Sequence, residues 1–206
     1  MNKVKLLYDV VKTLKAKEVV TGVLQADVEK DQVNIFSIRN DFEKNLLTRQ
    51  TKAKVTATVD YEGTRKKQQH HTGFTMPCPP ERKHMGFRHG LKGKFAMIAF
   101  ALSILDALQI EEQPDKTIVM SLHANDLPEE MKQLLHEKVN QAGTCHHRHS
   151  FINECGFADK LDLIITVLIN KNYEVMKIVA NAAGTQTDAQ ANPHNLKAKA
   201  ELSFVW

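Results

Sequence analysis

The chain has 206 residues, 42% apolar and 25% charged, which is enough to bury a core as a single domain over 1–206. Aromatic residues make up only 6% and there is one tryptophan, so a stacking platform for single-stranded nucleic acid is not expected. A net charge of +4 is too mild to call for a nucleic-acid partner, and three cysteines, an odd number, do not make a disulfide framework.

The first segment carries Val4, Leu7, Val11 and Leu14 at helical spacing, with lysines opposite. This predicts an amphipathic helix over Lys3–Lys17. It has no continuous apolar stretch of the signal-peptide kind. The longest apolar run, Phe95–Leu108, is shorter than a membrane span and contains Asp106. As the sequence stands, a cytoplasmic protein without a transmembrane segment is expected; an exported one is expected if a leader has been removed.

Strands follow. Val20, Gly22, Leu24, Ala26 and Val28 alternate with more polar residues, and Lys30-Asp31 reads as a turn. Val33–Glu43 is strand-like, with Phe36, Ile38 and Phe42 on one face. Val55, Ala57, Val59 and Tyr61 alternate with Lys54, Thr56, Thr58 and Asp60, and Glu62-Gly63 predicts a tight hairpin. The return strand, Thr64–Phe74, is polar on both faces and carries Arg65-Lys66-Lys67, which suits the charged edge of a sheet.

A loop over Met76–Gly90 leads to an apolar helix, about Leu91–Leu108, expected to be buried or to cover an apolar cavity. A short hairpin is predicted around Pro114-Asp115. Asp126-Leu127-Pro128-Glu129 reads as a helix start, with Asp126 as cap and Glu129 closing the capping box. Met131, Leu134, Leu135 and Val139 would line one face of that helix. After a second loop, Gln141–Ala158, alternation resumes from Leu161 to Ile169, turns at Asn170-Lys171-Asn172, and returns from Tyr173 to Ala183. It closes on the most regular strand of the chain, Leu196–Trp206. The fold class expected is α+β: a largely antiparallel, curved or partly closed β-sheet covered by about three helices.

This order is similar to that of the LolA/LppX-like lipoprotein-carrier fold. The stretch Thr166–Ile178, the later Gly184–Asn192 and the closing strand to Trp206 resemble that family's late hairpin, polar loop and final strand. The resemblance implies an incompletely closed sheet wrapped round an apolar cavity that helices cover. It implies a non-enzymatic carrier or sensor of an apolar small molecule or lipid. The cavity would be lined by Val55, Val59, Phe95, Leu102, Leu202 and Phe204; the competing expectation is an ordinary filled core.

Two loops carry thiol and imidazole groups, the ligands that hold zinc. Cys78, His84 and His89 lie in the first; Cys145, His146, His147, His149 and Cys155 lie in the second. If the two central helices pack antiparallel, both loops share one end, and Cys78, His84, Cys145 and His149 become the candidate metal set. A zinc-type metal protein is therefore the alternative function, and a homodimeric interaction protein a further one. An enzyme is not expected: there is no glycine-rich phosphate loop, no HExxH and no Gly-x-Ser-x-Gly. Glu111 and Glu112 should point to opposite faces of a strand, so they make a poor acid–base pair.

Overall fold

The computed structural model describes residues 2–61, 64–75, 102–133, 162–187 and 192–206. Among these residues nine antiparallel strands form one open sheet in the order β4-β3-β2-β1-β9-β8-β7-β6-β5. The strands are β1 (Val19–Lys30), β2 (Val33–Asn45), β3 (Gln50–Tyr61), β4 (Thr64–Thr75), β5 (Gln109–Glu112), β6 (Ile118–His123), β7 (Asp162–Ile169), β8 (Val175–Thr187) and β9 (Pro193–Val205). Two meanders, β1–β4 and β5–β9, are joined by the antiparallel pairing of β1 with β9. The sheet is thus built from both ends of the chain. The polar strand β4 lies at its edge, as its charge predicts.

Helix α1 (Lys3–Lys15) is capped by Asn2, whose side chain accepts from the Lys5 amide at 3.1 Å. Lys12 and Lys15 sit in its last turn, where the helix dipole favours positive charge. The helix stops short of Lys17, whose ammonium pairs with Glu174 in the β7–β8 turn and lies 5.0 Å from the centre of the Trp206 ring. Leu6 on the inward face of α1 is 1% exposed and packs with Leu108, Ile118, Met120 and Ile169. Leu7 and Val10 pack against the same cluster, together with Ile110, Leu122, Val167 and Val175. Among the described residues this is the helix–sheet core, and it sits over the β5–β7 end.

Local chemistry sets the turns. Asp31 and Gln32 both have positive φ, 49° and 69°, the geometry of a two-residue turn that matches strand twist. Neither is glycine, so the conformation is strained, and the neighbouring β9 start holds it. Asp31 accepts from the Asn195 amide at 2.9 Å, its own amide donates to the Asn195 carbonyl at 2.9 Å, and its carboxylate meets His194 Nδ1 at 2.6 Å.

Three expectations are corrected. Asp126 does not cap a helix. It lies in a 3-10 turn, Ala124–Asp126, and its carboxylate accepts from Gln109 Nε2 at 3.3 Å. The described helical residues begin at 129, with the Met131 and Lys132 amides donating to the Pro128 carbonyl, because proline's fixed φ already suits a first turn. Strand β8 starts at Val175, two residues later than predicted: Tyr173 takes a φ of 61° and Glu174 is committed to the turn. Leu102, expected to be buried, is 58% exposed. Helical residues are described over 102–107. The predicted loops at Met76–Gly90 and Gln141–Ala158 lie outside the described residues.

Candidate functional site: one apolar face of the sheet

Strand parity sends one set of side chains to the face that α1 covers. Register then aligns that set into rows across the sheet. One row runs Val55, Asn40, Leu24, Leu202, Ile178, Val167, Met120, Ile110. The next runs Ala57, Ile38, Ala26, Ala200, Ala180, Ile165, Leu122. A third runs Val59, Phe36, Val28, Ala198, Ala182, Leu163. The opposite face of β1, β3 and β9 carries Asp27, Glu29, Lys52, Lys54, Lys197 and Lys199, whereas that of β7 carries Ile164 and Leu168 beside Asp162 and Thr166.

The rows are not uniformly packed. At the β5–β7 end Ile118, Met120 and Ile169 are buried beneath α1. Toward β2, β3 and β9 the apolar residues Leu24, Val28, Ile38, Val55, Val59, Ala200, Leu202 and Phe204 are half-buried. The middle of the face, where β1, β9 and β8 meet, is floored by Ala26, Ala198, Ala200, Ala180 and Ala182. An aromatic ridge bounds this floor. Phe204 and Trp206 stack with ring centres 5.5 Å apart, and the Trp206 indole donates to the Val175 carbonyl at 2.7 Å. Phe42 lies over Gly22: a Cβ there would come within 2.8 Å of the Phe42 ring and 2.7 Å of the Ser203 carbonyl oxygen. Beyond β3, register places the exposed Lys66 of the edge strand β4 opposite Val59.

One polar side chain interrupts the apolar rows. Asn40 occupies the inward position between Ile38 and Phe42, opposite Leu24 and Val55. Its Oδ1 is buried and has no hydrogen-bond partner. Such an acceptor costs about 1–3 kcal/mol relative to a satisfied one. The alternation Phe36, Ile38, Phe42 was legible in the sequence; the asparagine breaking it was the signal for this residue, and composition alone passes over it.

Of the residues expected to line a cavity, Val55, Val59, Leu202 and Phe204 share this face. Leu202 and Val55 lie in the Asn40 row, Val59 four residues along β3, and Phe204 opposite Gly22. Leu102 is elsewhere, in a groove with Asn2, Lys3, Val4, Ser103, Leu105 and Asp106. Phe95 and the four candidate metal ligands, Cys78, His84, Cys145 and His149, lie outside the described residues. Among the described residues no three His, Cys, Asp or Glu side chains group as a metal site. Glu111 and Glu112 occupy adjacent positions of β5, opposite Val119 and Ile118, and so alternate across the sheet.

Two carboxylates are held in their charged form: Glu174 in the β7–β8 turn, and Glu201 on the opposite face of β9 from Leu202. Lys17, and after it Asn170, lower the Glu174 carboxyl below the usual glutamate value. Lys177, whose ammonium lies 2.7 Å from the carboxylate, does the same for Glu201.

Fold and site together define an antiparallel β-sheet protein with one extended apolar face, partly closed by an N-terminal helix. Among the described residues no helix is long and apolar enough to cross a membrane. No protein-family profile matches the chain, and no curated protein matches it. Among solved structures, one match is titled "Crystal structure of an N-terminal dehydratase from difficidin assembly line". It is 14% identical, with 100% of this chain and 86% of that chain covered, at a TM-score of 0.18. At so low a TM-score the match carries no argument about fold or function.

Proposed function

We propose that this chain is a non-enzymatic binding protein that carries or senses an apolar, lipid-like molecule on the inner face of its sheet. In this reading the sheet is a curved, partly closed wall with helices as its cover, as in the LolA/LppX-like carriers, and α1 closes one end. The alanine floor gives a ligand chain room. Phe204, Leu202, Leu24, Val55 and Val59 supply apolar contact, and Asn40 accepts a hydrogen bond from a hydroxyl or amide near the ligand's polar end.

The observation that carries the reading is the unpartnered Asn40 Oδ1 within otherwise apolar rows. A filled core would gain by replacing it with leucine, because a buried acceptor without a donor destabilises the fold. A ligand that brings the donor offsets that cost, and the half-buried apolar residues around it gain contact at the same time.

The test is titration of the purified chain with an environment-sensitive apolar fluorophore, followed by competition with a fatty acid and with the matching fatty amide. Saturable binding, displaced by both competitors and abolished in Leu202→Arg, supports the reading. In Asn40→Leu the amide should lose its advantage over a plain hydrocarbon of equal length. Unsaturable binding, or binding indifferent to Leu202→Arg, refutes it.

A further inference from the structure

Helix α1 buries one side and leaves a second apolar side uncovered. Val4, Tyr8 and Val11 recur at helical spacing on the side away from Leu6 and are 63%, 65% and 48% exposed. At 100° per residue Lys5, Lys12 and Lys15 fall on this same outward arc. Among the described residues these three lysines enter no ion pair. The helix's other basic neighbours are committed inward. Lys3 Nζ donates to the Leu105 and Asp106 carbonyls, each at 2.9 Å, and Lys17 pairs with Glu174. The exposed Leu102 lines a groove with Val4 and so extends the apolar stripe beyond the helix. Of the described acidic groups, Asp9 lies at the margin of the arc and Asp106 in that groove.

We infer that the outward arc of α1 docks on an anionic lipid bilayer surface. The chemistry favours this occupant over a protein. Lysine is depleted in protein–protein interfaces, where the charge must be stripped of water. At a bilayer the same lysines remain hydrated among phosphate and carboxylate headgroups, while Val4, Tyr8, Val11 and Leu102 enter the acyl boundary. Tyrosine's amphipathic ring suits that depth. Lys5 and Lys12 flank the stripe on one side, and Lys15 extends it at the helix C-terminus. A helix of this length has little apolar area, so attachment is reversible and depends on the lysines. The inference stands apart from the ligand reading, since none of these residues lies on the inner face of the sheet.

The experiment is vesicle co-sedimentation of the full chain with phosphatidylserine-rich vesicles and with pure phosphatidylcholine vesicles, at low and high salt. Binding is expected to the anionic vesicles alone and to fall with salt, as a surface interaction screened over about a Debye length must. Each lysine is worth about fivefold in affinity, so Lys5→Gln/Lys12→Gln/Lys15→Gln should lose on the order of a hundredfold. Tyr8→Ser/Val11→Ser, at exposed positions and with the fold checked by circular dichroism, should lose about tenfold on anionic vesicles. Equal binding to both vesicle types, or anionic binding unchanged in the triple variant, overturns the inference. Self-association that Tyr8→Ser/Val11→Ser abolishes, with no vesicle binding, also overturns it and assigns the arc to a second copy of the chain.

Discussion

Asn40 lies directly across the β1–β2 pair from Leu24, a buried acceptor facing a hydrocarbon side chain, with Val55 on its other flank. The first prediction follows from that pairing. Asn40→Leu should stabilise the ligand-free chain by about 1 kcal/mol, because it removes an unpaired polar atom and adds apolar contact. Urea denaturation reads this as a higher midpoint at unchanged slope. A lower midpoint would mean that the amide is satisfied in solution and is not an open site.

The second prediction separates the two leucines that helix α1 and its neighbour present. Leu6→Ala should cost about 2–5 kcal/mol, as a fully enclosed leucine does when truncated. Leu102→Ala should be silent to within about 0.5 kcal/mol, because that side chain is mostly exposed. Comparable losses at both positions would place Leu102 in a core.

Gly22 supplies the third. Its inward position is filled by the Phe42 ring and backed by the Ser203 carbonyl. Gly22→Ala should therefore cost about 1–3 kcal/mol through overpacking. The ring can move but the β9 backbone cannot do so cheaply, so thermal unfolding should report a lower midpoint. A neutral substitution would show that β1 and β9 are less closely seated.

The fourth concerns pH. Lys17 holds the Glu174 carboxyl below its ordinary value, so the unfolded chain binds the proton more readily than the folded one. The ion pair's contribution is then fully present above the unfolded glutamate value and disappears as pH falls through the folded one. Thermal midpoints of Glu174→Gln should be lower than wild type at neutral pH and converge with it in acid. A constant gap across that range would assign the effect to packing.

Much of this architecture was legible because strand parity is a local property. Leu196 to Trp206 and Val55 to Tyr61 state which residues share a face, and the polar run through Arg65-Lys66-Lys67 states that its strand belongs at an edge. What parity does not state is which distant strands become neighbours. The β1–β9 pairing that places Leu24 beside Leu202 joins opposite ends of the chain, and no short window encodes it. Asn40 was passed over for the same reason: its meaning depends on Leu24 and Val55 across two strand pairs. Leu102 misled because a run that is apolar all round gives no outward side, and the exposed stripe of α1 was hidden by a pattern that assigned every apolar residue inward. Asp126 misled because two capping arrangements, at the aspartate and at Pro128, compete within one turn.

Native mass spectrometry of freshly purified protein shows whether the inner face of the sheet holds a ligand. The spectrum should show a retained lipid-sized adduct, of defined stoichiometry, that a competing fatty amide displaces and that Leu202→Arg fails to hold. A chain that flies at its bare polypeptide mass under gentle conditions, and stays bare when the fatty amide is added, would contradict it.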